Sequence, residues 1–360
     1  MARKITDRDL VIHVLNVGLG DSIVIEFPVD ESGERSYGLV DCADGAKTRD
    51  YLVKLRSLRK GRARLVFVCA THPHLDHIVG IEPFIADPET RPEQFWDSGF
   101  RHNSTTYQRI MRALWECRVK LVRVSAGMEW YFGRVQITAL APSVGLRNRF
   151  GAYGVDINNA SIVLRIEHRK EDMLLMRSLE YTGDNPNPED VRKAGQSVVI
   201  LAGDAEYDSW GEITSDFPRV ETTVSPLVKK MVNYLSCAVV KVAHHGSMHS
   251  TPLDVYERMM PEVAIVSTEQ EIKTTKVAGQ PWTRGLFPHP SATLALQESG
   301  ARIYTTDGSH ESELLGDGSP RDAELAHPGS VVVVLPPSGR ARVIKLRDRA
   351  KDLADPPQEA

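Results

Sequence analysis

The segment Thr71-His-Pro-His-Leu-Asp-His77 places three imidazoles and a carboxylate within six residues. Neutral imidazole and carboxylate are the ligand types of zinc, manganese and iron, and a set like this on a loop leaving a strand can feed two adjacent metals. A single structural zinc would favour a closed, cysteine-containing set. Three more segments carry polar groups next to structured runs. Val198-Val-Ile-Leu-Ala-Gly-Asp204 is an apolar run ending in a carboxylate that could bridge two cations. Ala238-Val-Val-Lys-Val-Ala-His-His-Gly-Ser247 ends in His244 and His245, and Phe287-Pro-His-Pro290 sets His289 just ahead of a helical pattern. Strand ends are where α/β proteins carry functional side chains.

The elements that must position these residues can be read from periodicity. Residues 9–27 read as a hairpin, in which Val11, His13, Leu15 and Val17 alternate and Gly18-Leu-Gly-Asp21 turns. A strand-like run, not a helix, follows these glycines, so a dinucleotide-binding reading fails. His13 shares a face with three aliphatic residues and reads as a satisfied sheet histidine. A strand over 37–41 follows, then a helix in which Tyr51, Leu52, Leu55 and Leu58 recur at helical spacing up to Lys60-Gly61. Arg56, Arg59, Lys60, Arg62 and Arg64 make its outer end basic, a solvated helix end or a phosphate-contacting strip.

Residues 64–70 form a nearly continuous apolar run, the mark of a strand buried on both faces. Further strands are expected over 120–124, 135–140, 161–166, 198–202, 238–243, 263–267, 302–306 and 331–335. Helices are expected over 105–116, 221–235, 252–260 and 291–298, with excursions or loops over 167–196, 308–329 and beyond 347. Two sheets covered by helices account for this order.

Composition sets the outer bounds. With 41% hydrophobic and 26% charged residues, the 360-residue chain is neither disordered nor fibrous. Its formal net charge of −4 provides no global field for nucleic acid, although a local basic strip would suffice. No run reaches the length of a membrane span and the start lacks an apolar signal stretch, so a cytoplasmic protein without membrane contact is expected. The four cysteines, Cys42, Cys69, Cys117 and Cys237, lack metal-binding spacing and read as reduced thiols.

Together these motifs resemble the metallo-β-lactamase superfamily, in the branch typified by the hydrolase domain of the competence protein ComEC. The resemblance also includes Asn16-Val-Gly-Leu-Gly-Asp-Ser22, Leu39-Val-Asp41, Asn158-Asn-Ala-Ser-Ile-Val-Leu164, Ala202-Gly-Asp-Ala-Glu206 and Tyr304-Thr-Thr-Asp307. It implies a four-layer αββα sandwich, two mixed sheets flanked by helices, with a hydrolase domain over 1–347 and a charged tail over 348–360. It also implies two divalent transition metals, zinc or manganese. His72 and His74 would hold one and Asp76 with His77 the other; Asp204 would bridge them and His245 would complete the second site. Asp41 would orient ligands without binding metal. Asn158 and Asn159 stand where many members supply a further histidine, which favours manganese at the first site. Asn16 and Leu19 replace the branch's usual aspartate and glutamine, and the channel of ComEC is absent.

Two cations about 3.5 to 4 Å apart turn a shared water into hydroxide and polarise the electrophile, which implies hydrolysis but not which bond is cut. Lys241, Ser247, His249, Ser250 and Thr251 crowd the His-His segment with donors suited to a phosphoryl group. His289, between two prolines and matching a histidine of the branch, is chosen over His249 and His244 as proton donor to a leaving alkoxide. The other reading of His289 is a helix-start histidine bonded to backbone. A phosphodiesterase or nuclease acting on nucleic acid or a small phosphodiester is favoured. The rivals are a hydrolase of small esters, lactones or phosphocholine-type substrates, and a metal-holding module without turnover.

Overall fold

Strands such as Val331–Leu335 and Leu10–Val14 are apolar at almost every position, so neither of their faces can be left to solvent. The computed structural model describes residues 5–59, 63–100, 102–149, 156–169, 178–183, 185–269, 274–277, 280–283, 287–306, 329–337 and 340–345. One sheet has the strand order Arg342–Lys345, Val331–Leu335, Leu10–Val14, Ser22–Glu26, Arg35–Cys42, Ala63–Ala70, Gln94–Asp97, Lys120–Arg123. From Arg35–Cys42 onward its strands run parallel, and the preceding neighbours pair antiparallel. The second sheet repeats the scheme with Arg302–Thr305, Val263–Val266, Val239–Lys241, Val198–Leu201, Val163–His168, Val135–Ala141, Glu129–Phe132. Its first four strands are parallel and the rest antiparallel.

The alternation of side chains along each strand builds the layers. Leu10, Ile12 and Val14 meet Ile137, Leu164 and Val199 of the other sheet in one shared core. Val11 points the opposite way, into a core with Tyr51, Leu52 and Leu55 of the helix Gly45–Arg59 and Ile110 of Thr105–Glu116. On the far side, Val198 and Ile200 pack with Trp210, Tyr256 and Leu296 from the helices Tyr207–Asp216, Leu253–Met259 and Pro290–Glu298. The layers therefore run helix, sheet, sheet, helix, as expected. Among the described residues no helix is long and apolar enough to cross a membrane. The tail over 348–360 and residues 308–328 lie outside the described residues.

The expected helix over 221–235 is instead a hairpin of Val220–Ser225 and Val228–Val232. Thr222, Thr223 and Val224 are β-branched, and Pro226 would break a helix interior but fits a turn. Ser178–Tyr181 adds a third strand against Val228–Val232, and Tyr181 and Val191 pack on Met231. Part of the 167–196 excursion, with its helix Pro188–Gly195, thus supports the same accessory sheet.

The basic helix end is already engaged. Glu26 is wholly buried and accepts from Arg35 (2.8 Å) and Arg59 (2.9 Å), with His13 at 3.2 Å. The other nitrogen of His13 meets the Tyr51 hydroxyl at 2.8 Å, so it is a satisfied sheet histidine. Arg64 pairs with Glu93, while Lys60 and Arg62 lie outside the described residues. Burial alone would raise the Glu26 pKa, but the His13 hydrogen bond and the Arg59 charge hold it below its ordinary value. Its stabilisation is therefore present above the unfolded carboxyl pKa of about 4.3 and lost as pH falls through the folded value. Glu26→Gln should lower stability at pH 7 by about 1–3 kcal/mol, because buried Arg35, which keeps Asp7 at 2.6 Å, and part-buried Arg59 lose the carboxylate they share. An unchanged denaturation midpoint would show that these arginines are solvated instead.

Candidate metal centre

Four parallel strands, two from each sheet, point their C-terminal ends at one edge of the sandwich, and the polar residues following them converge there. Ala63–Ala70 delivers His72, and a short helix, Leu75–Ile78, then turns Asp76 and His77 back toward it. On the neighbouring strand Asp41 takes a left-handed backbone (φ 56) and accepts from the Thr71 amide, the Thr71 hydroxyl and His77 Nδ1, each at 2.7 Å. Asp41 thereby fixes both the loop and the His77 ring, whose Nε2 lies 3.2 Å from Asp204 Oδ1. Beneath the loop, Gly20 passes so close that an added Cβ would lie 2.5 Å from the Asp76 carbonyl. The Asp21 amide bonds that same carbonyl at 3.1 Å.

From the second sheet Asp204 follows Val198–Leu201, its amide held by Ser161 Oγ at 3.1 Å. Its Oδ2 is 3.6 Å from His72 Nε2, so the two carboxylate oxygens face different imidazoles. His245 follows Val239–Lys241; its Nδ1 donates to the Ser267 carbonyl (2.9 Å), and its Nε2 stands 3.7 Å from Asp76 Oδ2. Three groups of donor atoms emerge among the described residues, all sharing His77: His72 with Asp204, Asp76 with His245, and Asp21 with Asp41.

These residues suit cations. His72 Nε2, His77 Nε2, His245 Nε2 and Asp204 Oδ1 are buried and have no hydrogen-bond partner. Buried polar atoms left unpaired cost about 1–3 kcal/mol each, and cations would satisfy all four at once. Burial, with the neighbouring His77, holds the His72 pKa well down, leaving a neutral nitrogen. For His77 the Asp204 and Asp41 carboxylates outweigh burial and draw the pKa well up. Burial would raise the Asp204 pKa, yet the surrounding imidazoles hold it well below the ordinary carboxylate range.

A strand-end histidine cluster on one sheet thus faces a carboxylate at the end of a strand in the other, at the edge of an αββα sandwich. The chain has a metallo-β-lactamase fold. No family model matches it. Over 152 residues, 39% of the chain, it is 25% identical to ComE operon protein 3 of Bacillus subtilis, and the match spans 16% of that protein's length. Among solved structures it is similar to the metallo-β-lactamase fold protein YhfI from Bacillus subtilis, with 11% identity and a TM-score of 0.41 over 85% of this chain and 98% of that one. It is also similar to Igni18, a metallo hydrolase from Ignicoccus hospitalis, with 11% identity and a TM-score of 0.37 over 84% and 97% of the two chains.

Other sequence-marked residues sit differently within the metallo-β-lactamase fold. His74 is half-buried at the rim, its ring edge-on to His72 and to His102. Lys241, read in the sequence as a donor beside the His-His segment, is buried and paired with Asp21 at 2.5 Å, a partner 220 residues away in sequence. The Ser250 hydroxyl donates within its own loop to the Ala243 and Ser247 carbonyls, and Thr251 is buried. Ser247 Oγ receives the His249 amide, and exposed His249 sets its ring against Tyr207. His289 fits the helix-start reading, since its Nδ1 bonds Ser291 at the head of Pro290–Glu298. Its side-chain hydrogen bonds stay with Ser291, while its backbone amide donates to the Gly246 carbonyl beside His245 at 2.8 Å.

Asn159 Oδ1 caps the helix Tyr207–Asp216 through the Ser209 amide, and Asn158 turns its amide to Glu206 at 3.2 Å. Glu206, Asp21 and His102 were not singled out in the sequence. The first two stand inside motifs quoted above and were hidden by their more familiar neighbours. A cavity of about 880 Å³ lined by Arg8, Phe27, Arg35, Arg64, Phe132 and His168 lies at the opposite ends of the strands. It contains none of the clustered ligands.

Chelator-stripped protein should take up two divalent ions per chain by mass spectrometry of metal content. Asp204→Ala should abolish paired uptake, whereas Asp41→Asn, which loosens the His77 ring and its hold on Thr71 but leaves Asp204 in place, should weaken it about 10- to 100-fold. Full occupancy in Asp204→Ala would remove Asp204 from the centre.

Proposed function

We propose that this chain is a two-metal hydrolase of phosphodiesters, with zinc or manganese as its ions. The observation that carries this reading is the Asp204 carboxylate, which turns one oxygen toward His72 and the other toward His77. When bound, two divalent cations acidify a water, polarise the electrophile and steady both the attacking and the departing oxygen of an in-line displacement. The chain's own residues keep the ligands in place. Asp41 and the Ser267 carbonyl tie down the outer nitrogens of His77 and His245, leaving the inner nitrogens directed at the centre. With Lys241 and Ser250 engaged elsewhere, His249 is the candidate to protonate a leaving alkoxide.

The position of the basic strip supports a small phosphodiester over a polymer. Arg35, Arg59 and Arg64 gather at the starts of the strands whose ends carry the metal ligands, roughly 20 Å away at 3.3 Å per residue. Their partners are acidic side chains of this protein. A polymer crossing the centre would not reach them without leaving the edge.

The test is turnover of bis(nitrophenyl) phosphate beside single-stranded DNA, double-stranded DNA and RNA, with metal-loaded protein from 50 to 200 mM salt. Small-diester cleavage should persist across the range. Cleavage of a polymer through six to ten phosphate contacts should lose about 10³- to 10⁵-fold in affinity. Polymer cleavage with that salt slope would establish a nuclease. Hydrolysis of lactones or carboxylic esters alone would overturn the phosphodiester reading, and no turnover with both ions bound would leave a metal-holding module.

A further inference from the structure

Asp204 Oδ2 faces two imidazoles. His72 Nε2 lies at 3.6 Å and His244 Nε2 at 3.9 Å, while Oδ1 is turned toward His77. Ligand atoms sharing one ion at about 2.1 Å stand roughly 3 to 4 Å apart, so both imidazoles lie within sharing distance of Asp204 Oδ2, although His244 stands outside the groups of donor atoms that lie within 4.8 Å of one another. The opposite nitrogen of His244 is tied down, with Nδ1 2.8 Å from Glu206 Oε1. A hydrogen donated from Nδ1 to a carboxylate leaves the Nε2 lone pair free for a metal. His77 and His245 show the same arrangement, with Nδ1 held outward by Asp41 and by the Ser267 carbonyl.

The support behind His244 is itself fixed. Glu206 receives the Asn158 side-chain amide at 3.2 Å, and Asn158 is buried. The His244 backbone is held in the left-handed region (φ 46, ψ 46), with its amide bonded to the Gly203 carbonyl at 3.0 Å. Its ring lies against Phe287, centroids 6.1 Å apart and planes at 29°. A left-handed non-glycine residue costs about 1–3 kcal/mol and persists only where its surroundings impose it.

We propose that His244, oriented by Glu206 and Asn158, is a nitrogen ligand of the first metal position. It takes the place of the histidine that the segment around Asn158 and Asn159 does not supply. This inference rests on the two-metal reading above and deepens it. With His244 added, the first position becomes rich in imidazole, which suits zinc or cobalt better than manganese.

Cobalt(II) titration of the chelator-stripped full chain tests this without turnover, by calorimetry and by the visible absorption of the bound ion. Wild type should bind two ions. His244→Asn is chosen because asparagine tolerates the left-handed backbone. It should keep one tight ion and bind the second at least about 100-fold more weakly, and added imidazole should restore the lost absorption. Glu206→Gln leaves the backbone untouched and should weaken the same ion by about 10- to 100-fold, so the test holds even if His244→Asn misfolds. Two ions at wild-type affinity in folded Glu206→Gln and His244→Asn would overturn the role of His244 and leave the two-metal reading intact. No ion in wild type would defeat the two-metal reading itself.

Discussion

A carboxylate buried at the seam of two sheets, Asp204, is the group around which the rest of the edge is arranged. An isolated buried carboxylate is strongly disfavoured, and replacing its hydration takes opposite charge or hydrogen-bond donors at close range. Here the amide partner is Ser161 Oγ, and the remaining neighbours are imidazoles from loops of both sheets. Each of those imidazoles must arrive with the correct nitrogen forward, so each needs a partner behind it. Asp41, Glu206 and the Ser267 carbonyl fill that role for His77, His244 and His245. The hydrogen-bonding of one buried carboxylate thus propagates outward into the positions of loops from four strands.

The two sheets are also pinned below the centre. Lys241, on a strand of the second sheet, pairs with Asp21 in the loop that leads into Ser22–Glu26 of the first, and both are buried. A buried pair contributes little net stability once desolvation is counted, but loss of either partner leaves an uncompensated charge costing about 3–5 kcal/mol. Its value lies in registration. Asp21 bonds through its backbone to the Asp76 and Ala43 backbone, so the position of Lys241 is transmitted to the loops on either side of the clustered imidazoles. Gly20 permits that approach because no side chain fits between it and the Asp76 carbonyl.

The parts of this molecule governed by local pattern were legible in the sequence. Strands buried on both faces appear as unbroken apolar runs, and Thr105–Glu116 has a single apolar face whose positions match its buried residues. The histidine cluster was legible because no structural role needs three imidazoles and a carboxylate in six residues. The hairpin of Val220–Ser225 and Val228–Val232 was not. Its first strand is mostly exposed and lacks the period-two alternation of a half-buried strand; it is held by pairing with neighbours, one of them from a separate part of the chain. Lys241 read as a free donor because its partner lies 220 residues away. No spacing rule reaches that far.

His244 and His245 show why local reading stops short at functional sites. Adjacent residues in a regular strand point to opposite faces, so two consecutive histidines cannot both face one centre from an extended chain. The chain solves this by leaving the strand at Val242 and placing His244, His245 and Gly246 successively at positive φ. Only the glycine accepts that conformation without strain. The strain is offset by the Gly203 carbonyl, the Ser267 carbonyl and Glu206, contacts that come from outside the segment. A conformation that the local sequence disfavours is here imposed by three surrounding elements, the pattern expected where side chains are held for function. By the same reasoning Glu206 belongs to the site as much as the histidines do, because without it one of the two imidazoles loses the partner that turns it inward.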